Sequence, residues 1–205
     1  MKKLSLIGLV FGIGCVVQAT DITLVSNSSI NGVNAYQYLI SITLAPGQTI
    51  SSASLNFNNV TLTSTDAKDV INADLIKANY ASQTFNDNDQ AGDYFATKYP
   101  STTVLNLGVK NFAAPYLSHG SWVYDTESWS DIFSSTALGI VNANGGVFDF
   151  GIDPDCIYNV GSIVFSYTTL TTKIPSSVPD TAMTASLLGM SFVGLVLFRR
   201  KLAFK

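Results

Sequence analysis

The chain has 205 residues, 47% of them hydrophobic, a formal net charge of −3 and two cysteines. The segment 20–174 holds five lysines, no arginine and thirteen acidic residues, so its net charge is −8. Nucleic-acid binding needs a basic patch, and this balance argues against a nucleic-acid partner. The Ser, Thr, Asn, Asp, Gly and aromatic residues of this segment favour an extracellular β-rich domain over a helical enzyme.

The N-terminus has the three parts of a secretory signal peptide. Residues 1–3 are Met-Lys-Lys, residues 4–17 are apolar and uncharged, and Val17-Gln18-Ala19 offers a cleavage site before Thr20. We therefore predict a signal peptide over 1–19 and export of the following domain. A lipoprotein modified at Cys15 is the alternative, although the leucine expected three positions upstream is missing.

Cysteine usage limits the chemistry of the exported domain. Removal of residues 1–19 would leave Cys156 alone, so an internal disulfide is excluded. A buried, unreactive thiol is the expected state, with an intermolecular bridge or a reactive thiol as the alternatives.

The segment 20–174 is predicted as one mainly β domain. β-branched or alternating stretches predict seven strands, over 22–25, 36–44, 54–57, 60–63, 104–109, 147–152 and 163–170. Helical spacing of apolar residues predicts one inserted helix over 65–77, with Thr65 as its N-cap, and a shorter helical turn over 126–133. These elements predict a two-layer β-sandwich, jelly-roll-like or Ig-like, with one short inserted helix.

The segment 87–93 carries the sharpest chemical pattern of the domain. Asp87, Asp89 and Gly92 occupy positions 1, 3 and 6 of a calcium loop, and Asp93 follows directly. However, Lys98 stands at position 12, where a bidentate Glu belongs. The hypotheses are a Ca²⁺ site with Asp87, Asp89 and Asp93 as ligands, or a solvated acidic loop.

A second acidic group comprises Asp149, Asp153 and Asp155. Strand alternation would place these side chains on one face, although Pro154 is expected to disrupt the strand. Asx-type turns are one interpretation, and a calcium site shared with Asp87 or Asp89 is the other.

Neither a catalytic triad nor a glycosidase pair has clear support in the sequence. His119 is the only histidine, no Gly-x-Ser-x-Gly motif is present, and Glu127 is the only glutamate. We therefore predict a protein that is not an enzyme. Aromatic residues crowd the middle of the domain, and most are expected in the core. Trp122 and Trp129 are the candidates for an exposed pair that stacks on sugar rings.

The C-terminal region has three parts in a fixed order. Val178-Pro179-Asp180 follows a short linker, residues 181–198 form an uncharged apolar stretch, and Arg199-Arg200-Lys201 ends it. Eighteen helical residues span roughly 27 Å, which is just enough for a bilayer core. We predict a linker and motif over 175–180, a transmembrane helix over 181–198 and a cytoplasmic basic tail over 199–205.

This tail resembles the bacterial PEP-CTERM sorting signals, in particular the VPDSG variant, over about residues 178–202. Val178, Pro179, Asp180, Arg199 and Arg200 match that pattern, while Thr181 and Ala182 stand where Ser and Gly are usual. The stretch 147–156 also resembles a strand-end motif of uncharacterised PEP-CTERM surface proteins.

The resemblance implies that an exosortase, a membrane transpeptidase, processes the tail. It implies a surface protein of the cell envelope, held by the C-terminal helix at least transiently and associated with extracellular polysaccharide. A carbohydrate-binding module that uses Trp122 and Trp129, with or without Ca²⁺, is the alternative.

Overall fold

The computed structural model describes residues 15–64, 69–77, 80–88 and 92–172. Residues Cys15–Thr171 form one compact unit. The predicted transmembrane helix, Val178-Pro179-Asp180 and Arg199-Arg200 lie outside the described residues, as does most of the predicted signal peptide. Within the part described, no helix is long and apolar enough to cross a membrane.

The described residues contain eleven strands and two short helices. In chain order they are β1 Cys15–Ile30, β2 Asn34–Ser41, β3 Gln48–Leu62, β4 Val70–Ile76, β5 Gln83–Asn86, α1 Tyr94–Lys98, β6 Val104–Asn111, β7 Tyr116–Ser118, β8 Ser121–Val123, β9 Thr126–Ile132, α2 Ser135–Ala143, β10 Val147–Pro154 and β11 Tyr158–Thr172. The mainly β class predicted from the sequence is therefore confirmed.

Two sheets enclose the main core. The four-stranded sheet has the order β1-β11-β3-β9, and the five-stranded sheet has the order β5-β2-β10-β4-β6. Leu55 and Phe57 from the first sheet share one core with Phe148 and Phe150 from the second. Two sheets packed over one core are consistent with the predicted two-layer β-sandwich.

The helix predicted over 65–77 is wrong where the structure describes it, because Val70–Ile76 is strand β4. This strand lies between β10 and β6 and is buried on both faces. Ile71 and Leu75 belong to the main core, while Asp74 is buried on the opposite side. Residues 71–75 alternate between apolar and polar side chains, as a strand does, but the apolar residues 67, 70, 71 and 75 also match a helical spacing, so periodicity alone did not decide between the two.

The helical turn predicted over 126–133 is also wrong, because Thr126–Ile132 is strand β9. It pairs antiparallel with β3 in a register that sets Trp129 opposite Phe57. Half-buried and exposed residues alternate along β9, as expected for a strand at the edge of a sheet.

Two helices occur where none was predicted, and each begins at a capping side chain. Asp93 Oδ1 accepts the N–H of Ala96 at 2.8 Å at the start of α1. Ser134 Oγ accepts the N–H of Ala137 at 3.2 Å at the start of α2. These bonds satisfy N–H groups that have no partner inside the helix.

Strand β10 is buried on both faces, and its two faces differ in chemistry. Phe148, Phe150 and Ile152 point into the main core. By alternation Asp149, Gly151 and Asp153 lie on the outer face, where Tyr80 and the α1 residues Tyr94 and Phe95 contact them. The five-stranded sheet thus has a polar row beneath a second layer of chain.

The outer face of the four-stranded sheet is polar, and side-chain hydrogen bonds connect its strands. Asn56 Nδ2 donates to Ser166 Oγ at 2.8 Å, and Asn56 Oδ1 accepts from Ser130 Oγ at 2.7 Å and from Ser54 Oγ at 3.1 Å. These bonds join β3 to both of its neighbours, β11 and β9. The serine- and asparagine-rich composition therefore forms the solvated side of this sheet.

Candidate functional site

Three aspartates lie in the polar row on the outer face of the five-stranded sheet. Asp74 is on β4, and Asp149 and Asp153 are on β10; each is 0% exposed. The register sets Asp74 opposite Gly151, between the two aspartates of β10. Antiparallel pairing has therefore brought together carboxylates that are far apart in the sequence.

Asp153 is held at the start of α1. Its Oδ2 accepts the N–H of Tyr94 at 2.8 Å, and its Oδ1 has no hydrogen-bond partner among the described residues. Burial, followed by the negative charges of Asp87, Asp155 and Asp93, raises the pKa of Asp153 to about 7 against the lowering effect of the Tyr94 N–H.

Asp74 lies next to Asp93 and Asn106. Its Oδ1 accepts from Asn106 Nδ2 at 3.3 Å, and the same amide reaches Asp93 Oδ2 at 3.5 Å. Burial raises the pKa of Asp74 to about 8, with the charge and hydrogen bond of Asp93 and the charge of Asp153 acting in the same direction. Three carboxylates therefore interact electrostatically where β4, β10 and α1 meet.

Asp149 occupies the other end of the row. Its Oδ2 accepts a short hydrogen bond from Gln37 Nε2 and a second one from the N–H of Tyr80 at 3.2 Å. Tyr99 donates its hydroxyl to Gln37 Oε1 at 3.0 Å, which fixes the Gln37 amide. Burial raises the pKa of Asp149, although these two donors oppose the rise.

A cavity of about 410 Å³ lies at the start of α1, between the N-terminal part of that helix and residues 86–88. Its lining includes Asp87 and Asp93, together with Asn88, Gly92, Thr97 and Lys98. Asp87 is buried, while Asp93 is half-buried. Solvent and small ions can therefore reach the edge of the acidic group from this side.

The calcium hypothesis stays a prediction. Asp87 and Asp93 line one cavity, and the negative charges of both act on Asp153. Asp89 lies outside the described residues. As the side chains stand, no group of three or more His, Cys, Asp or Glu among the described residues could hold a metal ion.

Two details of the acidic group differ from the sequence prediction. Pro154 does not disrupt the strand, because it is the last residue of β10 and leaves Asp149 and Asp153 in regular alternation. Asp74 was not a candidate, because it fell within the segment predicted as a helix. Recognising β4 as a strand that is buried on both faces would have identified Asp74 as a buried carboxylate.

The two tryptophans proposed for sugar binding are in different situations. Trp129 stacks on Phe57 with ring centroids 4.3 Å apart and an interplanar angle of 5°, so it packs at the core instead of presenting a free ring. Trp122 is 46% exposed on the β7–β8 hairpin, directly opposite Leu117, which is 60% exposed. Only Trp122 keeps the accessibility that stacking on a ligand needs.

Each residue that the sequence offered as a reactive group has its own location or contact in the structure. His119 lies in the turn of the β7–β8 hairpin, with φ 50°. Glu127 forms an ion pair with Lys110. Cys156 is buried and not in a disulfide, and burial raises the pKa of its thiol to about 11. A thiol with a raised pKa is a weak nucleophile at neutral pH.

Comparisons with protein families, with curated proteins and with solved structures found no match to this chain. The function must therefore be argued from the residues themselves. Chemically, the structure offers an acidic group beside a cavity and an exposed aromatic hairpin.

Proposed function

We propose that this chain is a non-catalytic exported surface protein, sorted and processed by an exosortase-type membrane transpeptidase. It is then displayed at the cell envelope in association with extracellular polysaccharide. The observation that carries the proposal is the sequence of three parts in the tail: Val178-Pro179-Asp180, then an uncharged apolar stretch over 181–198, then Arg199-Arg200-Lys201.

Other features support this function. A secretory signal pattern over 1–19 would export the domain. The segment 20–174 has a net charge of −8 and contains no arginine, which suits a solvated position outside the cell. A mainly β domain whose outer sheet face is rich in Ser and Asn fits display between a signal peptide and a sorting tail.

The test is the fate of the tail in cells with and without an exosortase. The full chain carries one epitope after Lys205 and is detected separately by an antibody against the domain. In exosortase-containing cells we expect the domain at the surface without the epitope. In exosortase-deficient cells the domain and the epitope should stay on one polypeptide in the membrane.

Two variants localise the processing signal. Replacing Val178, Pro179 and Asp180 together with alanine should leave the epitope attached even when exosortase is present. The matched control replaces Ser176 and Ser177, in the linker, with alanine and should be processed normally. An epitope that stays attached in exosortase-containing cells, or that is lost equally in both strains, would exclude exosortase processing.

A second candidate function is carbohydrate binding, favoured by one observation. The β7–β8 hairpin presents Tyr116, Leu117 and Trp122, which are 57%, 60% and 46% exposed. Exposed aromatic rings can stack on the apolar faces of sugars. The exposed tip would then hold the protein to the polysaccharide among which it is displayed.

A glycan array with the full chain tests this candidate, using Trp122→Ala as the variant. Binding should fall at least tenfold on losing the indole. Ile132→Ala is the control, because Ile132 is also exposed, at 77%, but lies on β9. Absence of binding at millimolar sugar, or an equal loss in both variants, would exclude the hairpin as a sugar site.

A further inference from the structure

We propose that Asp74, Asp87, Asp93 and Asp153 form a binding site for one divalent cation, Ca²⁺, at the contact between β4, β10 and the start of α1. The site joins two residues of the central strands to two residues that border the cavity. It includes Asp74 and Asp153, which lie outside the loop pattern visible in the sequence.

The carboxylates come from separate elements that converge at one place. Asp74 and Asp153 lie on neighbouring strands, on the same outer face of the sheet. Asp93 interacts with both of them, and Asp87 interacts with Asp153. Asp87 and Asp93 line the cavity, which provides a route for an ion from solvent.

Asp153 supplies independent evidence for a missing partner. It is 0% exposed, and its Oδ1 has no hydrogen bond among the described residues. The other oxygen, Oδ2, accepts the N–H of Tyr94, which is the residue after Asp93. This hydrogen bond fixes the Asp153 carboxylate at the start of α1. A buried oxygen without a partner is costly, so an ion or a water is expected to satisfy it.

The charge balance also favours a cation. Neither Asp74 nor Asp153 forms an ion pair with a described lysine: Lys110 pairs with Glu127, and Lys77 Nζ donates to the Thr102 carbonyl at 2.9 Å. Lys98 lines the cavity, but its Nζ lies 3.9 Å from the Phe85 ring centroid. Buried carboxylates need a compensating charge or a proton.

The donor set indicates Ca²⁺. Four carboxylates, with the side-chain oxygens of Asn88 and Thr97 in the same cavity lining, are hard oxygen ligands on an irregular frame. Ca²⁺ accepts six to eight such ligands in flexible geometry, whereas Mg²⁺ demands a near-ideal octahedron. The single histidine lies in the β7–β8 turn and Cys156 is buried, which fits an oxygen-binding ion better than zinc.

Binding requires rearrangement of side chains. In the present rotamers no three of these residues could hold an ion together. Asp93 is half-buried beside the cavity, and its carboxylate would have to exchange its contacts with the Ala96 N–H and Asn106 Nδ2 for contacts with the ion. We therefore expect Ca²⁺ to draw the cavity-facing carboxylates toward the fixed carboxylate of Asp153.

The experiment uses the full chain, purified in detergent and stripped with EDTA, and Ca²⁺ alone as the probe. Thermal unfolding of the β domain is followed by tryptophan fluorescence. At a Ca²⁺ concentration about 100 times the Kd, we expect Tm to rise by roughly 5–10 °C. Tb³⁺ luminescence excited through nearby tyrosines such as Tyr94 reports occupancy without depending on stability.

Three variants and a control locate the site. Asp153→Asn should weaken Ca²⁺ binding about tenfold or more, because charge at the fixed ligand is lost. Asp93→Asn should do the same while keeping α1 intact, because Asn caps helices as well as Asp does. Lys98→Met should strengthen binding, since it removes a positive charge from the cavity lining. Asp125→Asn, in an exposed loop, is the control.

Two experimental results would overturn the proposed Ca²⁺ site. An unchanged Tm together with absent Tb³⁺ luminescence overturns the site. Equal loss in Asp125→Asn and Asp93→Asn also overturns it, because that would show nonspecific attraction to an acidic surface. If Asp153→Asn does not fold, Asp93→Asn and Lys98→Met still decide the question through their opposite expected effects.

Discussion

The ring of Phe95 lies directly over the Cα of Gly151, so that a Cβ at position 151 would be 2.4 Å from Phe95 Cδ2. Phe95 is 0% exposed, and it packs α1 against the outer face of the central strand β10. Only a residue without a side chain allows this contact. The position of α1, and with it the position of Asp93, therefore depends on Gly151.

Gly151→Ala should destabilise the domain by about 1–3 kcal/mol, because the added methyl group forces Phe95 out of its position. Urea unfolding followed by tryptophan fluorescence measures the change. Gly139→Ala is the matched control: Gly139 is exposed in α2, and a Cβ there meets nothing within 4 Å. That control should be neutral or stabilising by up to about 1 kcal/mol. An equal effect of both changes would contradict the packing argument.

Asp149→Asn tests the pH dependence of stability. Burial raises the pKa of Asp149, so the folded chain holds this proton more tightly than the unfolded chain does. The unfolded carboxyl releases its proton near pH 4, and the free energy of unfolding then falls as pH rises toward the raised folded pKa. The contribution is complete in acid and is lost at higher pH.

In Asp149→Asn this loss is absent, so the variant should gain stability relative to the parent chain as pH increases. Urea unfolding between pH 4.5 and pH 8, with EDTA present throughout, measures the difference. Asp125→Asn serves as the exposed control. A constant difference between Asp149→Asn and the parent across this range would contradict the prediction.

The two tryptophans should respond differently to truncation. Trp129→Ala removes the ring stacked on Phe57 and should cost about 2 kcal/mol or more of unfolding free energy. Trp122→Ala, on the hairpin, should change stability by about 0.5 kcal/mol or less, as is usual for surface positions. Chemical denaturation of both variants checks this. Similar losses would place Trp122 in the core.

Asn142 joins α2 to β3 through a pair of hydrogen bonds. Its Oδ1 accepts the N–H of Ile50 and its Nδ2 donates to the Ile50 carbonyl, both at 2.9 Å. Asn142→Ala should destabilise the domain by about 1–3 kcal/mol, because two backbone groups lose their partners. Thr136→Ala, exposed on the same helix, should be near neutral. A thermal melt of each variant gives the comparison.

Sequence patterns identified parts of six strands, namely β1, β2, β3, β6, β10 and β11. The prediction over 54–57 and 60–63 found both halves of β3, which the structure joins into one strand with a register shift between Phe57 and Val60. Asn59 in that shift has a positive φ of 52°. Local periodicity cannot show that a strand continues through a bulge, because the bulge interrupts the alternation.

The acidic group could be predicted only in part. Asp87, Asp93 and Asp153 were recognisable from local spacing, but their proximity depends on how α1 packs over β10. Asp74 joins them through antiparallel pairing of β4 with β10, which is a long-range property. Helix α2 was missed because Gly139 and Val141 are poor helix formers, and tertiary contacts override that preference.

The Asn142 amide also bonds the part of β3 that does not pair with β9. Backbone hydrogen bonding on this side of β3 reaches Ala53, whose carbonyl accepts the N–H of Phe133 at 2.9 Å. Without Asn142, the peptide groups of Ile50 would form an open edge. Open edges invite another chain to add a strand, and that risk grows when many copies are crowded together. By bonding both peptide groups of Ile50, the Asn142 side chain closes this part of the β3 edge to strand addition by another chain.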